Sequence, residues 1–125
     1  MYMIEIRDQF TAAHAVVLPD GCRESSHSHC WHLRLFLSRK ELDENNMVVD
    51  FTCVQSALKE VVSSLENADL NRIESMKPSP TAEVVAHFIF DQMTQKMAKI
   101  APSVKVKSLS LSEAENCWAW YTCCS

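Results

Sequence analysis

Tyr2, Ile4 and Ile6 alternate with Met3, Glu5 and Arg7, and the same parity runs on through Phe10 towards His14. A period of two belongs to a half-buried strand, so the chain is predicted to open with one. Residues 17–28 carry Pro19, the only glycine and several serines, and read as a connection. Trp31, Leu33, Leu35 and Leu37 then alternate with His32, Arg34 and Ser38, marking a second strand over about 29–39 although Phe36 breaks its polar face. After the polar ELDENN, the residues Val54, Leu58, Val61, Val62 and Leu65 recur at helical spacing, which predicts a helix over about 51–66 with Asp50 placed to cap it. A second helix is predicted over about 80–99 from Val84, Val85, Phe88, Ile89, Met93 and Met97, with Pro80 in its first turn. Leu109 and Leu111, then Cys117 to Tyr121, give two closing strands joined by a turn near Ala114 to Asn116.

Strands and helices grouped in the order strand, strand, helix, helix, strand, strand imply an α+β fold. A four-stranded antiparallel sheet would carry two helices on one face. Such a sheet has two open edges, and hydrophobic edges invite pairing, so association of subunits through them is expected.

At 125 residues and 47% hydrophobic content the chain is expected to form one domain, residues 1–125. Lys and Arg number 12 against 16 Asp and Glu, a net charge of −4 with no basic cluster, which argues against a nucleic-acid backbone as partner. A single glycine, Gly21, leaves no Gly-rich phosphate loop or dinucleotide fingerprint. No apolar run reaches membrane-spanning length and the first ten residues lack a signal-peptide pattern, so a cytoplasmic protein is expected, without a membrane partner. In that compartment Cys22, Cys30, Cys53, Cys117, Cys123 and Cys124 read as reduced thiols, and none has the spacing of a zinc knuckle.

His27 and His29 lead into the second strand two residues apart, so they project from one face about 7 Å apart at the backbone. His14 shares the inward parity of the first strand, and antiparallel pairing would set it opposite them. Three imidazoles on one face suit a catalytic type of zinc site with a position left for water or substrate. The spacing equally fits an exposed H-x-H pair and a strand-end histidine. His32, on the opposite face, and His87, off the apolar stripe of the second helix, read as solvated.

With these residues in view, the chain resembles the 6-pyruvoyl-tetrahydropterin synthase and 6-carboxytetrahydropterin synthase family nearly end to end. FTAAH (Phe10 to His14) looks like the family's F-x-A-A-H, and HSHCW (His27 to Trp31) like its H-G-H followed by an aromatic. MVVDF (Met47 to Phe51) resembles its strand ending in Asp-Phe, SPTAE (Ser79 to Glu83) its N-P-T-A/S-E, and Glu113 its terminal acidic residue. The resemblance implies the T-fold, in which sheets of several subunits join into a barrel, usually a hexamer of two trimers with active sites at subunit interfaces. It implies that His14, His27 and His29 bind Zn2+, and that Glu113 holds the pterin ring of 7,8-dihydroneopterin triphosphate through paired hydrogen bonds. It also implies a base shortly before His27, for which Cys22 and Glu24 are rivals. Cys22 lies one residue further from the histidine than in the carboxytetrahydropterin branch, whereas Glu24 sits in the E-x-x-H of a branch that releases 6-hydroxymethyl-dihydropterin.

The family's L-D-H-x-x-L-N stands here as LENADLN, with Glu66 and Asn67 at the Asp-His positions of the proton-transfer machinery. Asparagine does not exchange protons near neutral pH; Asp69, His32 or a water would have to substitute. Ser28 replaces the middle glycine of H-G-H, which a strand conformation accepts. Two function classes follow. One is a zinc-dependent lyase on dihydroneopterin triphosphate, most like 6-carboxytetrahydropterin synthase in a queuosine-type pathway. The other is a divergent pterin-binding protein with altered or lost catalysis.

Overall fold

The computed structural model describes residues 1–123. Cys124 lies outside the described residues; the other five cysteines are free thiols. Strand β1 (Tyr2–His14) pairs antiparallel with β2 (His27–Arg39). Helix α1 (Phe51–Leu65) is followed by a two-residue strand β3 (Ala68–Asp69), helix α2 (Ala82–Ile100), β4 (Lys105–Ala114) and β5 (Cys117–Thr122). The sheet order is β3-β1-β2-β4-β5. The two helices cover one face, as the grouping of elements implied. The sheet nevertheless has five strands, because β3 adds a short parallel pairing of Ala68 and Asp69 with Ala12 and Ala13. Two residues carry no periodicity, which is why pattern alone misses it. No helix among the described residues is long and apolar enough to cross a membrane.

One apolar cluster fills the space between helices and sheet. Phe10, Trp31, Leu33, Leu35, Leu37, Leu58, Ile89, Met93 and Leu111 are almost completely buried in it. Each such side chain contributes about 1.5–3 kcal/mol by leaving water. Tyr2 departs from the inward reading and stands exposed, and Ile4 is half-buried. In α2 the buried face is rotated towards Ala86 and Phe90, with Val84 and Phe88 only partly covered. Tyr121 of β5 draws Phe90 inward, the ring centroids lying 4.9 Å apart. His87 is not simply solvated. Its ring stacks on Tyr121 at 3.9 Å and its Nε2 lies 3.1 Å from Asp91.

The helix starts are set by side chains. The Asp50 carboxylate accepts from the Thr52 amide at 2.9 Å and from its hydroxyl at 2.8 Å, so MVVDF ends in a helix cap and forms no strand. Thr81 caps α2 by accepting from the Val84 amide, which leaves Pro80 ahead of the helix and its carbonyl free for another partner. With one glycine in the chain, asparagine supplies other left-handed positions: Asn46, Asn67 and Asn116 have φ of 62°, 59° and 67°. Asn116 thereby closes the tight β4–β5 turn.

The bonds from Thr52, its hydroxyl first, hold the Asp50 carboxyl below its ordinary 3.8. A folded-state value below the unfolded one contributes stability above the ordinary pKa, and that contribution is lost as pH falls through the depressed value. Asp50→Ala is therefore expected to lower the urea midpoint at pH 7. The gap from wild type should narrow as unfolding is followed down to pH 2.

Candidate metal centre

The β1–β2 register sets His14 directly opposite His27 and Ala12 opposite His29, so all three imidazoles emerge on the helix-covered face at one end of the sheet. Ser28 lies between them in extended conformation, paired with Ala13, and its side chain brings no strain. Ring centroids are 4.8 Å apart for His14 and His27, 5.3 Å for His14 and His29, and 4.5 Å for His27 and His29. Trp31 floors the cluster. Its ring meets His14 edge-on at 4.8 Å, and its indole N–H donates to the Ala12 carbonyl at 3.1 Å.

Backbone carbonyls choose which nitrogen faces inward. His14 Nδ1 lies 2.7 Å from the Pro80 carbonyl and His27 Nδ1 lies 3.0 Å from that of Ser25. A carbonyl only accepts, so each Nδ1 carries a proton and Nε2 is the nitrogen left to face a metal, the arrangement in which a histidine's other ring nitrogen is held by a backbone carbonyl. His14 Nε2 and His29 Nε2 are buried without a hydrogen-bond partner. Burial holds the His29 pKa below its ordinary 6.5, against the pull of Glu113, with His27 and His14 pushing the same way as burial and Glu24 opposing. A neutral imidazole is the form that binds metal.

One atom from each histidine falls within 4.8 Å of the others. Tetrahedral zinc with Zn–N bonds of about 2.0–2.1 Å spaces its ligand atoms about 3.4 Å apart, so modest side-chain rotation closes the cage on an ion. Glu113 sharpens the fit. Its Oε2 is buried, 3.2 Å from His14 Nε2, yet the two make no aligned hydrogen bond. Two buried polar atoms without hydrogen-bond partners thus stand side by side, and a cation beside both would satisfy them.

Glu24 also reaches the cluster. Its Oε1 lies 3.6 Å from His27 Nε2 and accepts from the Val16 amide at 3.1 Å. Cys22 is exposed in the β1–β2 loop, where its amide donates to Asp20 and its carbonyl accepts from Leu18. Glu66 and Asn67 are bound elsewhere. Glu66 Oε2 accepts from the Thr11 amide at 3.2 Å, and the Asn67 amide donates to the Thr11 carbonyl at 2.6 Å, both on the outer edge of β1. Asp69 is taken up by the Asn71 amide and Arg72. His32 is exposed and, with Cys30, Ser112, Glu113 and Trp118, lines an open cleft of about 480 Å³. The Pro80 and Ser25 carbonyls had no signal in the sequence, since every residue has one.

A family model described as 6-pyruvoyl tetrahydropterin synthase matches residues 3–124. The chain is similar to a 6-carboxy-5,6,7,8-tetrahydropterin synthase of Rickettsia conorii, 24% identical with 90% of this chain and 94% of the relative covered. The Rickettsia typhi protein of that name is 25% identical over the same shares. Among solved structures, the 6-pyruvoyl tetrahydropterin synthase of Caenorhabditis elegans superposes with a TM-score of 0.82 at 20% identity, covering 98% of this chain and 96% of that one. A Plasmodium vivax counterpart, a glutamate-to-alanine catalytic-residue mutant, gives 0.76 at 13% identity, covering 97% and 98%.

Proposed function

The chain belongs to the 6-pyruvoyl tetrahydropterin synthase family and has its α+β T-fold, and from that premise we propose that it is a zinc-dependent lyase acting on 7,8-dihydroneopterin triphosphate, most like 6-carboxytetrahydropterin synthase. The observation that carries this reading is the convergence of His14, His27 and His29 with two carboxylates, Glu24 and Glu113, at one end of the sheet. His14, His27 and His29 would hold the metal, which when bound supplies Lewis acidity to the oxygens of the substrate side chain.

The rest is work for the protein's own groups. Glu113 anchors the pterin ring, its carboxylate accepting from a ring N–H and the exocyclic amine in parallel. Glu113 also lines a cleft, with Cys30, His32 and Ser112, that has the size of a small-molecule site. Glu24 takes a proton from the side chain beside the histidines; the glutamate replaced as the catalytic residue in the Plasmodium vivax structure supports this choice over Cys22. Subunits associate through the two edges of the sheet, β5 on one side and, on the other, β1 where β3 does not cover it, which would carry the Glu66–Asn67 segment on that edge towards a neighbouring chain.

A second reading, a pterin-binding protein with reduced turnover, is favoured by Asn67 at the position of the relay histidine. Incubation of the zinc-loaded protein with 7,8-dihydroneopterin triphosphate, followed by mass spectrometry with His27→Ala as control, decides between them. A zinc-dependent product is expected. A carboxyl on its side chain identifies the 6-carboxytetrahydropterin synthase reaction, and a hydroxymethyl group the alternative branch. Unchanged substrate at full zinc occupancy would mean that Glu66 and Asn67 have cost the chain the family reaction, and would turn the search to other pterins or binding partners.

A further inference from the structure

Where β1 leaves the sheet, its backbone needs partners that no strand supplies. Ala15, buried and next to His14, has both its backbone groups taken by one side chain. Asn71 Oδ1 accepts from the Ala15 amide at 2.8 Å, and Asn71 Nδ2 donates to the Ala15 carbonyl at 2.8 Å. A side-chain amide thus reproduces the donor and acceptor pair that a neighbouring strand would offer. Asn71 is itself fixed. It lies in a short 3-10 turn (Leu70–Arg72) whose capping residue Asp69 accepts from the Asn71 amide at 3.1 Å, and the preceding Leu70 is fully buried.

The place of Ala15 in the chain gives this clamp its meaning. On one side is His14, whose ring is oriented by the Pro80 carbonyl. On the other is Val16, whose amide holds the Glu24 carboxylate. Arg23 adds a longer bond from Nη1 to the Ala15 carbonyl at 3.4 Å and reaches the Pro78 carbonyl with Nη2. Ala15 therefore links the backbone of a metal-facing imidazole to the anchor of the carboxylate opposite it, and Asn71 is the side chain that takes both of its polar groups.

We infer that Asn71 is a positioning residue for the metal centre, setting His14 and Glu24 together through Ala15. This rests on the reading of the three histidines as metal ligands. Loss of a group bonded directly to a metal ligand costs about 10–100-fold in affinity, and Asn71→Ala, which acts one residue further away through Ala15, is expected to fall towards the lower end of that range. Asn71→Asp keeps the acceptor for the Ala15 amide but sets a second acceptor against the Ala15 carbonyl, so it should also bind more weakly than wild type.

The test is zinc affinity by chelator competition, with Co2+ absorption spectra of the same proteins reporting ligand geometry. Asp50→Ala, whose cap lies away from the site, serves as the comparator for general loss of stability. The expected result is weaker zinc binding and an altered Co2+ spectrum in both Asn71 variants, with Asp50→Ala unchanged in both. Should Asn71→Ala fail to fold, Asn71→Asp carries the same measurement. Wild-type affinity and spectrum in the Asn71 variants, or an equal loss in Asp50→Ala, overturns the assignment. Failure of the wild type to take up either ion would instead remove the metal reading on which it rests.

Discussion

On the proposed three-histidine site, replacement of His14 by alanine is expected to abolish zinc binding and, with it, the proposed product formation from 7,8-dihydroneopterin triphosphate. His14 is buried, with Nδ1 committed to Pro80 and Nε2 turned towards His27, His29 and Glu113. Glu24 lies on the His27 side, Cys22 is exposed in the loop, and Glu113, whose Oε2 stands 3.2 Å from His14 Nε2, is the carboxylate assigned to the pterin ring. Losing a direct ligand should exceed the roughly 10–100-fold that removal of an outer partner costs. Thermal unfolding with and without zinc offers a check independent of activity. A ligand present at 100 times its Kd stabilises the state that binds it by about 2.7 kcal/mol, and this increment should appear in wild type and vanish in the variant. An undiminished zinc-induced rise in Tm for His14→Ala would exclude the three-histidine site.

The second large effect is expected at Glu24. Glutamine preserves the shape and can still accept from the Val16 amide, but it cannot take up a proton. If Glu24 is the base, Glu24→Gln lowers kcat by about 10²–10⁴-fold while zinc affinity stays near wild type, because the grouped donor atoms are those of His14, His27 and His29. Cys22→Ala should leave kcat within a few-fold. The reverse result, a collapse with Cys22→Ala and near-normal turnover with Glu24→Gln, would transfer the role to the thiol. A loss of zinc from Glu24→Gln would make the glutamate a metal-site residue and not a base.

Part of this site is legible in the residue pattern alone. The alternation that makes β1 and β2 strands also assigns His14, His27 and His29 to one face, because a period of two leaves only two directions for a side chain. The pairing of His14 with His27 follows once the two strands form a hairpin. Glu66 and Asn67 show the opposite limit. Their chain position matches a proton relay, but Asn67 turns through a left-handed conformation and both residues bond to Thr11, at the sheet edge.

The order of the four long strands and two helices and the common face of the three histidines are matters of local period and strand parity, so the amino-acid sequence carries them unaided, whereas the two-residue β3 and the rotation of the buried face of α2 towards Ala86 and Phe90 depend on packing. The sequence also carries the motifs that mark the family. Packing in three dimensions was needed to set Glu24 rather than Cys22 beside His27, to turn Glu113 inward against His14, and to recruit the Pro80 carbonyl and the Asn71 amide. Those placements are made by hydrogen bonds and contacts between segments far apart in the chain, as much as 66 residues for the bond from His14 to Pro80. A loop has no period to fix its direction, so a residue there is aimed by whichever remote backbone group it satisfies.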